Sequence, residues 1–105
     1  GETGAARELF LEAFAAARKI GDPLSTAWAV EGLAATVPAE EAARLLGLAA
    51  AARAAAGVPI TRQERDDIER IAEQAERALG AESFAAAHAL GGGQGFDDVL
   101  SGDES

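Results

Sequence analysis

Residues 44–59 read RLLGLAAAARAAAGVP, and the meaning given to their alanines decides the fold. Alanine is the best helix former, so composition alone makes this a filler helix. Its phase says more. Leu45, Leu46, Ala49 and Ala52 keep one helical stripe for neighbouring helices, and Gly47 lets a second backbone come close. Glu40 and Glu41, just after Pro38, sit in the first turn and oppose the positive end of the helix dipole. Gly57 and Pro59 stop the helix at about Ala56.

Working outward, the same spacing recurs. Towards the N-terminus, Ala6, Leu9, Phe10, Ala13, Phe14, Ala17 and Ile20 form an apolar stripe, with Arg7, Glu8, Glu12, Arg18 and Lys19 elsewhere. Thr3 is the expected N-cap of this first helix and Gly21 its C-terminal stop. Asp22-Pro23 restarts the chain, and a second helix to about Thr36 spreads Leu24, Ala27, Trp28, Val30, Leu33 and Ala34 round its circumference. That spread predicts packing on more than one side.

Towards the C-terminus, Thr61-Arg62-Gln63-Glu64 has the form of a capping box. The fourth helix carries Ile68, Ile71, Ala72, Ala75 and Leu79 on one face. Its other face offers the i,i+4 pairs Arg62–Asp66, Arg65–Glu69, Asp66–Arg70 and Glu73–Arg77, a solvated surface. Gly80 ends it, and a short fifth helix over about 82–90 holds Phe84, Ala85 and His88. GGGQG at 91–95 reads as a flexible break, Phe96, Val99 and Leu100 as a last turn or short arm, and 101–105 as a disordered acidic tail. The expected fold is all-α: antiparallel helix-turn-helix units, about five helices, with a domain over 1–90 and a break and tail over 91–105. The expected shared core is Leu9, Phe10, Phe14, Trp28, Leu45, Leu46 and Ile71.

Bulk composition narrows the function classes. The 105 residues make one small domain or a piece of a larger chain; the start at Gly1 rather than Met implies a cut or processed end. Hydrophobic residues are 49%, but with four Phe, one Trp and no Tyr or Met the core must be thin. A net charge of −9 argues against direct contact with nucleic acid or an anionic membrane. The absence of cysteine removes disulfides, thiolate metal sites and cysteine nucleophiles, and fits a reducing cytoplasm. No apolar run reaches the roughly 20 residues of a membrane span.

No catalytic, cofactor-binding or metal-ligating residues are assigned. His88 is the single histidine, and Ser25, Thr26 and Ser83 lack the surroundings of a nucleophile elbow, so His88 reads as a packing residue. GGGQG lacks the Lys-Ser/Thr end of a phosphate loop, and Asp97-Asp98 and Asp103-Glu104 lack the ligand spacing of a calcium loop. The candidate interaction or packing residues are Phe10, Phe14, Trp28, Arg44, Leu46 and Arg53. Arg44 and Arg53 stand among apolar residues, their stems covering the stripe and their heads reaching water or nearby glutamates.

Two segments repeat. AARELFLEAFAAARKIGDP at 5–23 aligns with EAARLLGLAAAARAAAGVP at 41–59, setting Ala6 on Ala42, Phe10 on Leu46, Ala13 on Ala49, Ala17 on Arg53 and Gly21 on Gly57. Small-x3-large-x2-small spacing resembles the second helix of a tetratricopeptide repeat. With Ala42-Ala43-Arg44-Leu45-Leu46-Gly47, Gly57-Val58-Pro59, Leu79-Gly80, Phe84 and Ala87, residues 5–100 resemble the C-terminal end of the tetratricopeptide-type region in LuxR-type and SARP-type bacterial regulators, mainly actinobacterial. Thr36-Val37-Pro38 is a shorter link than that family has. The resemblance implies a non-catalytic scaffold module whose partners are preceding repeats or other proteins, with ATPase and DNA-binding domains lying outside this segment. The rival reading is a free-standing acidic adaptor for basic peptides or a small ligand.

Overall fold

Each helix boundary is fixed by residues a few positions away. The computed structural model describes residues 2–57 and 60–94. These form five α-helices and no strand: α1 Glu2–Ile20, α2 Pro23–Ala34, α3 Ala39–Ala56, α4 Arg62–Leu79 and α5 Ala81–Gly92. The all-α expectation is met, as a repeat-like bundle of five helices.

Asp22 caps α2 with a carboxylate that accepts from the Leu24 N–H at 3.1 Å and the Ser25 hydroxyl at 2.6 Å. Pro23 then occupies the first turn, where no N–H is needed. Thr61 caps α4 by accepting from the Glu64 N–H at 3.2 Å. Only half of the expected capping box forms. One Glu64 oxygen accepts from the Thr61 hydroxyl at 2.9 Å and the other is drawn to Arg53 instead of to the Thr61 amide. Gly80 alone joins α4 to α5, at φ 90° and ψ 154°, a region that side-chain-bearing residues avoid.

Besides the end of α5 at Gly92, two boundaries differ from expectation. α1 already includes Glu2, so Thr3 lies within its first turn and not at the cap. α2 ends at Ala34, because the Ala35 and Thr36 amides bond back to Gly32 and Leu33, tightening the last turn ahead of Pro38. The acidic tail and the last turn with Phe96, Val99 and Leu100 lie outside the described residues, as do Val58 and Pro59.

α3 is the central helix. It packs on α2, α4 and α5, whereas α1 packs chiefly on α2. The core joins Ala27, Val30, Leu33 and Ala34 to Ala42, Leu45, Leu46, Leu48, Ala49 and Ala75. Phe10, Phe14, Ile68, Ile71 and Phe84 cover its edges, half-buried. Two members of the expected core are not in it: Leu9 is 61% exposed and Trp28 50%. α2 lies between α1 and α3 on alanine-lined sides, with Ala27 and Ala29 wholly buried, so the bulky indole faces outward. Leu9 lies on the margin of an α1 stripe wider than one neighbouring helix can cover.

The tightest approach is between α3 and α5. A methyl group placed on Gly47 would collide with the His88 carbonyl oxygen, lie 2.8 Å from its carbon and 3.2 Å from the Gly92 nitrogen. A methyl on Gly91 would strike the Arg44 carbonyl in the same way. Two glycines therefore lie at the crossing, Gly47 against His88 and Gly91 against Arg44, each bare where the other helix presents backbone. Gly91 is buried within α5, so the helix extends into the glycine run taken from sequence as a flexible break. Its lack of side chains serves contact at Gly91, not flexibility.

Candidate groove between helices two and four

Arg53 sits in the last turn of α3, 3% exposed, and ties three helices together. Its Nε donates to Glu31 of α2 at 2.7 Å, and Nη2 donates to the second Glu31 oxygen at 2.9 Å. Nη2 also donates to Glu64 of α4 at 2.6 Å. The hydrogen bonds to Glu31 raise the Arg53 pKa above its ordinary value, so the guanidinium stays charged. Its Nη1 is buried without a hydrogen-bond partner. Burying such ions is costly, and the geometry compensates because two carboxylates share one guanidinium.

Beside this network lies a groove of about 550 Å³ between α1–α2 and α4. Phe10, Trp28 and Gly32 line one wall, Ile68, Ile71 and Gln74 the other. Glu31, Glu64, Asp67 and Arg70 supply its charge. Phe10 lies against the bare backbone at Gly32, where a side chain would overlap its ring. It meets Trp28 one helical turn earlier, ring centres 5.3 Å apart and tilted by 60°. A smaller hollow of about 230 Å³, lined by Leu24, Ser25, Trp28 and Glu64, adjoins it. Trp28 and Glu64 thus stand between two depressions.

The sequence candidates divide between this groove and other places. Phe10 and Trp28 come together in it, and Arg53 braces its base through Glu31 and Glu64. Arg53 reaches glutamates and not water. Phe14 lies under the Arg18 guanidinium, 5.7 Å from ring centre. Leu46 is core. Arg44 pairs with Glu40 at 2.8 Å, and its backbone meets Gly91. On the solvated face of α4 the expected i,i+4 pairs give way to Arg70–Asp67, three residues apart, at 3.2 Å.

Sequence reasoning missed Glu31 and Asp67. A usable signal existed for Glu31: it is the lone charge in α2, as Arg53 is the lone charge in the alanine run, and two isolated opposite charges in apolar helices seek each other. Asp67 carried none.

Other chemistry is sparse. The His88 ring packs on Phe84, centres 5.7 Å apart, and the Ser25 hydroxyl is engaged by Asp22. Among the described residues no group of three or more His, Cys, Asp or Glu could hold a metal ion, and no helix is long and apolar enough to cross a membrane. What the groove offers is an aromatic surface beside carboxylates, which suits a cation. Comparison with protein-family models, with curated proteins and with solved structures finds no match for the chain.

Proposed function

We propose that this chain is a non-catalytic, tetratricopeptide-like interaction module from the C-terminal end of a cytoplasmic multidomain transcriptional regulator. It packs against preceding helical repeats and presents a surface to protein partners. One observation carries the reading: α1 keeps an open apolar margin, with Leu9 61% and Ile20 80% exposed, eleven positions apart on one side of the helix. Such a margin suits a preceding helix laid along α1 as α2 lies on its other side. Covering a Leu or Ile fully is worth about 1.5–3 kcal/mol each.

The coding sequence upstream of Gly1 tests this directly. Further helix pairs with small-x3-large-x2-small spacing and a phosphate loop are expected; an initiator methionine immediately before Gly1 would refute the reading. With the upstream repeats attached, Leu9→Glu plus Ile20→Glu should detach them while leaving the five-helix unit folded.

A second reading, a free-standing acidic adaptor, is favoured by the carboxylates lining the groove beside Trp28. Specific, salt-sensitive capture of basic peptides by the isolated chain supports it, and salt-insensitive binding counts against it.

A further inference from the structure

The groove has features that a packing surface does not require. Trp28 is the one tryptophan of the chain, yet half its surface is left open beside carboxylates. Trp28 shares one hollow with Glu31, Glu64 and Asp67, and a second with Glu64 and Leu24. Glu31 and Glu64 are neutralised only in part, since one Arg53 serves both. Asp67 is held by Arg70 alone, in a pair whose side chains are 57% and 68% exposed. An exposed pair of this kind is worth little and exchanges readily.

We infer that the groove binds a partner peptide through one arginine or lysine side chain, laid over Trp28 and neutralised by Glu64 and Asp67. This rests on the second reading, the acidic adaptor for basic peptides, and names the groove and the side chain it would take. Charge complementarity selects the occupant. The three groove carboxylates face two guanidiniums, one of them sealed behind the wall, and the whole chain carries −9. An acidic peptide would be repelled. A purely apolar segment would leave the carboxylates facing it without water.

The chain's own structure shows the contact in miniature, with the Arg18 guanidinium over Phe14. Indole is the better ring for a cation. Binding exchanges partners: the incoming cation takes Asp67, and Arg70 swings into solvent. Arg70 is then a competitor for the site, and removing it should tighten binding.

Trp28 reports on its own occupancy. The intact chain is titrated with an acetylated, amidated alternating Ala-Arg octapeptide while indole fluorescence is followed, with an alternating Ala-Glu octapeptide as control. Saturable change with the arginine peptide alone is expected, weakening as salt rises from about 0.02 M to about 0.5 M. Asp67→Lys should weaken binding by about tenfold and Arg70→Gln should tighten it by about threefold. Glu82→Lys, an equal charge change in the first turn of α5 and away from the groove, should stay within about twofold. Circular dichroism confirms that each variant is folded.

Equal weakening by Asp67→Lys and Glu82→Lys would overturn the proposal, showing attraction to net charge alone. So would an equal response to the glutamate peptide, or a fluorescence change with protein concentration alone, which marks a second copy as the occupant. None of these outcomes bears on the α1 margin, which the upstream repeats test separately.

Discussion

Replacing Gly47 with Ala is the sharpest test of the packing. In an exposed helix the change stabilises by about 1 kcal/mol, because glycine loses more backbone entropy on ordering. Here the new methyl meets the His88 carbonyl, which belongs to a helix backbone and cannot rotate away as a side chain would. Overpacking costs about 1–3 kcal/mol, and a collision with backbone belongs at the upper end, so the net loss should be about 2 kcal/mol. For a domain of this size that lowers the thermal midpoint by about 8–16 °C. Gly91→Ala, aimed at the Arg44 carbonyl, should behave alike. One outward movement of α5 relieves both collisions, so the double variant should lose about 1 kcal/mol less than the sum. Gly4 in α1 meets nothing within 4 Å, and Gly4→Ala should stabilise by roughly 0.5–1 kcal/mol. The assay is urea unfolding followed by helical circular dichroism, with midpoints compared at constant slope. If Gly47→Ala stabilises as Gly4→Ala does, or if the two α3–α5 substitutions add fully, the close crossing is wrong.

Arg53→Ala leaves Glu31 and Glu64 facing each other without their cation and should cost about 3–5 kcal/mol; adding Glu31→Gln to Arg53→Met should recover part of what Arg53→Met alone loses, as chemical unfolding would show. Leu45→Ala, at a site 1% exposed, should cost about 2–5 kcal/mol, whereas Leu9→Ala should stay within about 0.5 kcal/mol; similar losses at the two sites would contradict the burial described. The hydrogen bond from Ser25 lowers the Asp22 pKa below its unfolded value of 3.8. Its contribution to stability is therefore complete above that value and disappears as pH falls through the folded value. Asp22→Asn keeps a capping side chain that does not titrate, so its thermal midpoint should fall less steeply than the parent's between about pH 4 and pH 2. Parallel curves would refute that assignment.

Much of the architecture is legible because its determinants are local. Asp22-Pro23, Thr61 with Glu64, and Gly80 mark helix boundaries through hydrogen bonds and dihedral preferences spanning at most four residues. The helical period then places Leu45, Leu46 and Ala49 on a buried face whatever their neighbours are. The groove is less legible. Phe10 and Trp28 stand out in the sequence as large aromatics, and size alone suggests core. Whether an aromatic is buried depends on how much room the opposing helix leaves. Against Ala27 and Ala29, which already fill the sides of α2, there is none for an indole.

The sequence by itself determined that this chain is helical, where most of its helices begin and end, and that alanine and glycine allow close approach. Those properties follow from backbone geometry and neighbours in the chain. Tertiary structure alone decided that Gly47 and Gly91 each lie against backbone of the other helix at one crossing, and that Arg53 is held by Glu31 and Glu64, 22 and 11 residues away. It also left Trp28 open beside carboxylates. A sequence pattern gives the face a residue occupies on its own helix, but partners appear only once the helices take their places around α3. Of the alanines of 44–59 only Ala49 is buried, Ala51 and Ala52 are half-buried, and Ala50 and Ala54 to Ala56 face outward, so the close approach of this stretch is made at Gly47 and not by the alanine run as a whole.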